Sequence, residues 1–233
     1  MDKTKGLTQY HGPLTPAQAA TGIQAAIQNA CDLLSDAELL LENKRWQRAA
    51  ALAILSIEEM GKVEILRSLL LARDERELKE SWIRYRSHTK KNVLWIFPQL
   101  VANGARKLEH FRPAYDESSD HAKLLDSVKQ LAFYSDACGK CHWSVPREVV
   151  DQALAEGMAK TAKLLVGVSS HAFTTEAELQ IWCKHMRPVW KGDMDEMKKG
   201  LLACYAEAEA KGVLQGKSTE FDMLKFLYED PTQ

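Results

Sequence analysis

The sequence predicts an all-α protein, in which a helical bundle carries additional helices toward the C-terminus. Two capping boxes, Thr15 with Gln18 and Thr175 with Glu178, are typical of helix N-termini. Apolar residues recur at spacings of three and four over long stretches, whereas the strict alternation of a β-strand is nearly absent. The apolar content of 45% and the charged content of 27% are those of a folded globular protein.

The first two predicted helices are long. The first begins at Pro16, where proline is tolerated because the first turn of a helix lacks amide partners. Its apolar stripe consists of Ile23, Ile27, Ala30, Leu34, Ala37 and Leu41. The polar residues 42–44 end it, and a second helix is predicted from Trp46 to Ala72. Since residues 49–55 are apolar on every side, the second helix should be the central and most buried one.

The later part of the chain also has helical signals. A third helix is predicted to begin after Asp74 and to continue toward Gly104, with a kink or interruption at Pro98. Further helices are expected around residues 121–134, 146–168, 176–182, 194–210 and 220–228. We expect residues 1–145 to form the core of the bundle and residues 146–233 to form a C-terminal helical extension packed on that core as one domain.

Charge and hydropathy narrow the classes of partner. The formal net charge of −1 favours neither nucleic acid nor a membrane surface, so any RNA contact would need a local basic patch. No apolar run reaches the roughly 18–20 residues that a membrane span needs, and the N-terminal residues lack the apolar core of a signal peptide. We therefore expect a cytoplasmic protein without membrane contact, whose five cysteines are thiols.

The second helix carries charges in the middle of its apolar run. On a helical wheel Glu58 and Lys62 are neighbours at i and i+4, and we expect them to form an ion pair at the surface. Glu59 shares the apolar stripe of Leu66, so we expect it to be partly buried and to face the next helix, with Ser56 in reach on the same face. A bracing role and a catalytic role for Glu59 both stay open.

Residues 84–91, RYRSHTKK, form the one concentrated cationic segment. If the helix is continuous there, Arg84, His88 and Lys91 share a face. A metal-independent ribonuclease needs an imidazole that moves the 2′-OH proton and cations that stabilise the charge on phosphorus. The candidate catalytic residues are His88, Arg84 and Glu59, and the candidate phosphate-binding residues are Arg86, Lys90 and Lys91. The supporting residues are Ser56, Glu58, Lys62 and Asp136. Glu59 or Asp136 would orient the imidazole; the alternative is that His88 is an ordinary surface residue in a solvated charge run.

Three segments carry a resemblance to a known family. LAILSIEEMGKVEIL, residues 52–66, resembles the helix-two signature of the AbiV family of bacterial abortive-infection proteins, in which Ser, Glu and Gly-Lys follow an alanine-rich run. RYRSHTKK occupies the position of the family's His-containing third-helix segment. LAFYSD, residues 131–136, resembles the family's Tyr-x-Asp, and this resemblance implies that Tyr134 is a further supporting residue. The resemblance covers roughly residues 20–145.

The AbiV family is similar to the wider HEPN group (higher eukaryotes and prokaryotes nucleotide-binding) of all-α proteins, many of which are dimeric, metal-independent ribonucleases. The resemblance thus implies a HEPN-like bundle, a homodimer, and antiphage defence by RNA cleavage or another block on translation. The usual HEPN motif, Arg followed by four to six residues and His, is absent. Arg84 to His88 and Arg106 to His110 each have three residues between them.

Two other functions stay open. The chain could be a non-enzymatic interaction protein that binds a phage or host protein, with the charged residues acting as structural or contact residues. CGKCH, from Cys138 to His142, has the form of a c-type haem attachment site and of half a zinc site. The lack of an export signal speaks against covalent haem, and the lack of a second ligand pair with zinc-site spacing speaks against zinc. We therefore expect no metal and no cofactor.

Overall fold

The chain folds as an α-helical bundle around two long antiparallel helices, in a computed structural model that describes residues 8–105, 110, 113, 120–169, 172–214 and 227. The first helix, α1, is Pro16–Glu42 and the second, α2, is Trp46–Leu70. The prediction of an all-α fold is confirmed, and the bounds of both helices agree with the sequence pattern.

Shorter elements follow α2 along the chain. They are α3 (Glu75–Arg86), α4 (His88–Lys91), a 3₁₀ turn (Val93–Ile96), α5 (Phe97–Ala102), α6 (His121–Phe133), β1 (Ala137–Cys138), β2 (His142–Trp143), α7 (Pro146–Val149), α8 (Gln152–Ser169), α9 (Glu176–Met186) and α10 (Met194–Ala210). The strands β1 and β2 pair as one small antiparallel hairpin. The helix expected at residues 220–228 lies outside the described residues except for Leu227, which is helical and buried.

The two long helices approach closely because small residues line their contact. Thr15 forms the predicted capping box with Gln18, and the buried stripe of α1 is mostly alanine. The buried residues of α1 are Ala19, Ile23, Ala26, Ala30, Leu34 and Ala37. On the facing helix Ser56 is fully buried, and its hydroxyl donates a 2.8 Å hydrogen bond to the carbonyl of Ala30. Ser56 therefore fastens α2 to α1.

The second helix is the centre of the described fold. It contacts α1, α3, α4, α6 and α8, and most of its length is buried. A helix with partners on several sides must be apolar around most of its circumference, which residues 49–55 are. The prediction of a central α2 is confirmed, and any charged residue on α2 has to be judged by the helix that covers it.

The third predicted helix is not continuous, so that prediction is wrong. The backbone leaves the helical region at Ser87, whose φ of −78° and ψ of 125° are extended. The Ser87 hydroxyl then accepts a hydrogen bond from the amide of Lys90 and caps the short helix α4. Pro98 lies in the first turn of α5, a position where proline is tolerated, and does not cause the break. The helix expected at residues 146–168 is likewise interrupted between α7 and α8.

The C-terminal helices pack on the two long ones. Arg67 of α2 is buried, and its guanidinium donates to the carbonyls of Ala172 and Phe173, just before α9. Arg187, after α9, donates a 2.6 Å hydrogen bond to the carbonyl of Leu70. Within the described residues no helix has the length and apolarity for crossing a bilayer. The division of the chain into a core, residues 1–145, and a C-terminal extension, residues 146–233, stays a prediction.

Candidate functional site

The centre of the candidate site is Glu58, a buried carboxylate on α2 with only 2% of its side chain exposed. Its Oε2 lies 2.8 Å from Nδ1 of His88, the first residue of α4. Its Oε1 accepts a 2.5 Å hydrogen bond from Nζ of Lys129 on α6, and Nζ of Lys91 lies 3.8 Å from Oε2. These basic partners compensate the large desolvation cost of burying a carboxylate.

Gly61 lets α4 approach α2 closely enough for these contacts. A Cβ atom at Gly61 would lie only 1.9 Å from the carbonyl oxygen of Lys91, a distance that no side chain tolerates. Glu58 and Gly61 are three residues apart and so lie on neighbouring positions of one helix face. The glycine therefore fits the end of α4 against α2, while His88 at its beginning meets Glu58.

His88 is both anchored and accessible. A carboxylate can only accept, so Nδ1 carries the proton of the bond to Glu58 and a neutral ring leaves Nε2 as an acceptor. The side chain is 61% exposed although its carboxylate partner is 2% exposed. An imidazole oriented at one nitrogen and open to solvent can take a proton from a hydroxyl group and return it to a leaving group.

The two lysines at Glu58 differ in their electrostatics. Burial alone would lower the pKa of Lys129, but hydrogen bonds to Asp126 and Glu58 outweigh it and raise that pKa. Burial lowers the pKa of Lys91, against the attraction of Glu58. Lys129 also lies 2.8 Å from Oδ1 of Asp126, one turn earlier on α6. The two lysines beside Glu58 therefore differ in the direction in which their pKa values are shifted.

A family model described as AbiV, of the HEPN class, matches residues 18–167, which is more than half of the chain. The chain belongs to the AbiV family. The resemblance drawn from the sequence is confirmed, as is the HEPN-like helical fold, and membership of this family suggests a role in abortive infection, a bacterial defence against phage. No curated protein and no solved structure matches the chain. The matched segment contains Glu58, His88 and Lys129.

Of the two adjacent acids in this AbiV-family chain, Glu59 is partly buried as expected, whereas Glu58 is not at the surface. The predicted surface pair of Glu58 and Lys62 is wrong, since Lys62 bonds to Glu59 at 2.5 Å and Glu58 is buried. Glu59 is partly exposed and does not hold the imidazole of His88. The reason is that α4 and α6 cover the side of α2 that carries Glu58.

The basic segment does not present one cationic face. Because the chain breaks at Ser87, Arg84 at the end of α3 and His88 in α4 are not on a continuous helix, and that expectation is wrong. Arg84 and Lys90 are partly buried on either side of the exposed His88. Lys91 is buried and turned toward Glu58, so it does not offer its ammonium group to a phosphate in solvent.

Arg86 contacts the N-terminal segment of the chain. Its guanidinium donates to the carbonyl of Tyr10 and lies 3.2 Å from Nδ1 of His11. It also lies over the ring of Trp82, 5.0 Å from the centroid. The structure thus brings Arg86 to the N-terminal segment.

The remaining supporting candidates contact residues other than His88. Tyr134 is exposed at the C-terminal end of α6. Asp136 belongs to the hairpin, where its Oδ1 accepts from the amide of Ala137 and its backbone bonds to Ser144. The imidazole is held by Glu58, so the expectation that Asp136 orients it is wrong. Ser56 fastens α2 to α1, as described above.

The CGKCH segment forms the hairpin turn between β1 and β2. Gly139 and Cys141 have φ values of 53° and 68°, in the left-handed region that tight turns use. Cys141 and His142 are exposed. In the part of the chain that the structure describes, no group of three or more His, Cys, Asp and Glu side chains is placed to hold a metal ion. Arg106, of the other Arg-His pair, lies outside the described residues.

Sequence reasoning missed Lys129 and Asp126. The buried positions of α6 are Ala122, Leu125, Lys129 and Ala132, which follow helical spacing. A lysine in an otherwise apolar stripe is a signal of a buried ion pair, since an unpaired buried ammonium is costly. That signal shows that an acid should face Lys129, although it does not show which one.

Proposed function

We propose that this AbiV-family protein acts in the cytoplasm of the infected cell, where it cleaves RNA without a metal ion and so arrests growth. His88 is the proton-transfer group and Glu58 is its orienting partner, in the role that the sequence suggested for Glu59. The observation that carries the proposal is the 2.8 Å bond between an exposed imidazole and a buried carboxylate. Such a pair presents Nε2 to a substrate in a fixed direction.

The proposed reaction uses the ribose of the RNA as its own nucleophile. Nε2 of His88 accepts the 2′-OH proton, the 2′ oxygen bonds to phosphorus, and the bond from phosphorus to the 5′ oxygen breaks. The products are a 2′,3′-cyclic phosphate and a 5′-OH, whose proton comes from a protonated imidazole. In a homodimer the His88 of a second copy would supply that acid, so we propose that the dimer is the active form.

Two cations near His88 would stabilise the negative charge that develops on the phosphate. Arg84 and Lys90 precede and follow His88 in the chain, and both side chains are partly exposed. Guanidinium and ammonium groups that reach the phosphate would favour the transition state, because they interact with the negative charge that develops on it. Lys129 has a different role in this proposal, since it is buried and neutralises Glu58 from the protein side.

The test compares two exposed histidines in cells challenged with phage. With the wild type we expect reduced phage yield and RNA fragments that end in 2′,3′-cyclic phosphate. His88→Ala should lose both effects by roughly 100-fold or more, the usual contribution of a general acid or base. His142→Ala, on the exposed hairpin, should behave like the wild type. Intact RNA in arrested wild-type cells would refute cleavage.

A second candidate is a non-enzymatic protein that blocks infection by binding a phage or host protein. The observation that favours it is the exposure of Tyr134 and Trp143, which are large aromatic side chains of the kind found in binding surfaces. On this reading Trp143→Ser abolishes protection, His88→Ala does not, and RNA in protected cells stays intact. The same set of cells therefore discriminates the two functions.

A further inference from the structure

A trough runs between α3 and the N-terminal segment formed by residues 10–13. It consists of two adjoining cavities of about 450 and 490 Å³, which share His11 and Lys79 as lining residues. The first cavity is also lined by Trp82, Ile83, Arg86 and Ser87, and the second by Gly12, Pro13, Glu75 and Leu78. Each cavity is within the size range of small-molecule sites, so the trough has room for successive nucleotides.

Specific contacts hold both walls of the trough. The indole Nε1 of Trp82 donates a 3.0 Å hydrogen bond to the carbonyl of Gly12. Arg86 donates to the carbonyl of Tyr10, and the ring of Tyr10 packs edge-on against Trp82 with centroids 5.9 Å apart. The N-terminal segment is thus fixed to α3, and the trough is formed before any ligand binds.

The lining of the trough combines positive charge with exposed apolar surface. Lys79 and Arg86 are cationic, against the single acid Glu75. Ile83, which lines the first cavity, is 53% exposed. Cations that follow a groove bind the phosphate backbone of single-stranded nucleic acid, and an exposed aliphatic side chain offers apolar surface that a base can cover.

We propose that this trough holds the single-stranded RNA next to the scissile phosphate. The inference rests on the proposed ribonuclease function and adds where the substrate lies. Ser87 lines one end of the trough, and His88 is the next residue along the chain. A strand whose phosphates contact Lys79 and whose bases lie on Ile83 is thereby led toward the imidazole.

The test measures binding of a fluorescein-labelled 12-nucleotide single-stranded RNA by the full-length His88→Ala protein, which does not cleave it. Lys79→Glu and Ile83→Asp should each weaken binding about tenfold or more. The slope of the logarithm of RNA affinity against the logarithm of salt concentration should become shallower by about 0.7 in Lys79→Glu, because one phosphate contact is lost. Lys163→Glu and Leu164→Asp are matched controls on α8, since Leu164 is also 53% exposed, and should bind RNA normally.

The outcomes separate this inference from the proposed function. Binding that depends on Lys79 and Ile83, without cleavage by the wild type, supports the trough and refutes the nuclease. Cleavage that depends on His88 but is unchanged by Lys79→Glu and Ile83→Asp supports the nuclease and refutes the trough. If Ile83→Asp changes the oligomeric state in size-exclusion chromatography and leaves RNA binding unchanged, a second copy of the chain occupies the groove and the inference is wrong.

Discussion

Replacing Gly61 by alanine should disable the site without removing any of its chemical groups. The new Cβ would lie 1.9 Å from the carbonyl oxygen of Lys91, and real Cβ atoms essentially never approach an atom closer than 3.0 Å. The end of α4 must therefore move by more than about 1 Å, which strains the 2.8 Å bond between His88 and Glu58. A misplacement of that size can cost about 100-fold in activity.

The same substitution should lower stability. Overpacking costs about 1–3 kcal/mol, and the better helix propensity of alanine returns up to about 1 kcal/mol. The net loss lies between about 0 and 3 kcal/mol, and its midpoint of about 1.5 kcal/mol corresponds to a fall in Tm of about 3–6 °C for a chain of this size. Thermal unfolding followed by circular dichroism measures this shift, and phage plating with RNA profiles measures the activity.

Gly157→Ala is the matched control for Gly61→Ala. Gly157 lies inside α8, and a Cβ there would meet no atom within 4 Å. This variant should keep full activity and gain up to about 1 kcal/mol from helix propensity. If Gly61→Ala instead restricts phage and unfolds like the wild type, the close packing of α4 against α2 is not needed, and the reasoning fails.

Two further predictions concern stability. Ser56→Ala should lose about 1 kcal/mol in urea unfolding because the buried hydrogen bond to the carbonyl of Ala30 disappears, whereas Ser127→Ala, on an exposed serine, should change little. Hydrogen bonds from Arg73 lower the pKa of Glu77 from 4.5 to about 2. The stability from this pair is fully present above pH 4.5 and is lost as the pH falls through 2. Glu77→Gln should therefore be less stable than the wild type at pH 7, and most of that difference should be gone at pH 2. An equal difference at both pH values would contradict this prediction.

The parts of the fold that depend on local pattern could be predicted from the sequence. The capping boxes at Thr15 and Thr175 begin helices as expected, because they satisfy amides within the same turn. The central position of α2 followed from its apolar circumference. The helix break at Ser87 could not be predicted, because the residues on both sides of it continue a helical pattern. The feature that marks the break is the capping hydrogen bond from the amide of Lys90 to the hydroxyl of Ser87.

The assignment of the two acids could not be read from α2 alone. Glu58 and Glu59 are adjacent, so they point about 100° apart, and either can face a covering helix. Glu58 is the buried acid because His88 and Lys129 bond to it, and these two residues are 30 and 71 residues away in the sequence. Helical periodicity ranks the sides of one helix by apolarity, but it carries no information on which later helix packs there. The one local indication of a buried ion pair was Lys129, a lysine at a position of the buried apolar stripe of α6.

The most direct test of the account is to neutralise each acid of α2 in turn and measure phage plating. Glu58→Gln removes the charge that orients His88, whereas Glu59→Gln removes only the partner of the partly exposed Lys62. We predict that Glu58→Gln restores plating to the level of cells without the protein and that Glu59→Gln keeps protection. Full protection by Glu58→Gln, or loss of protection by Glu59→Gln with a folded protein, would contradict the claim that Glu58 and His88 form the functional centre.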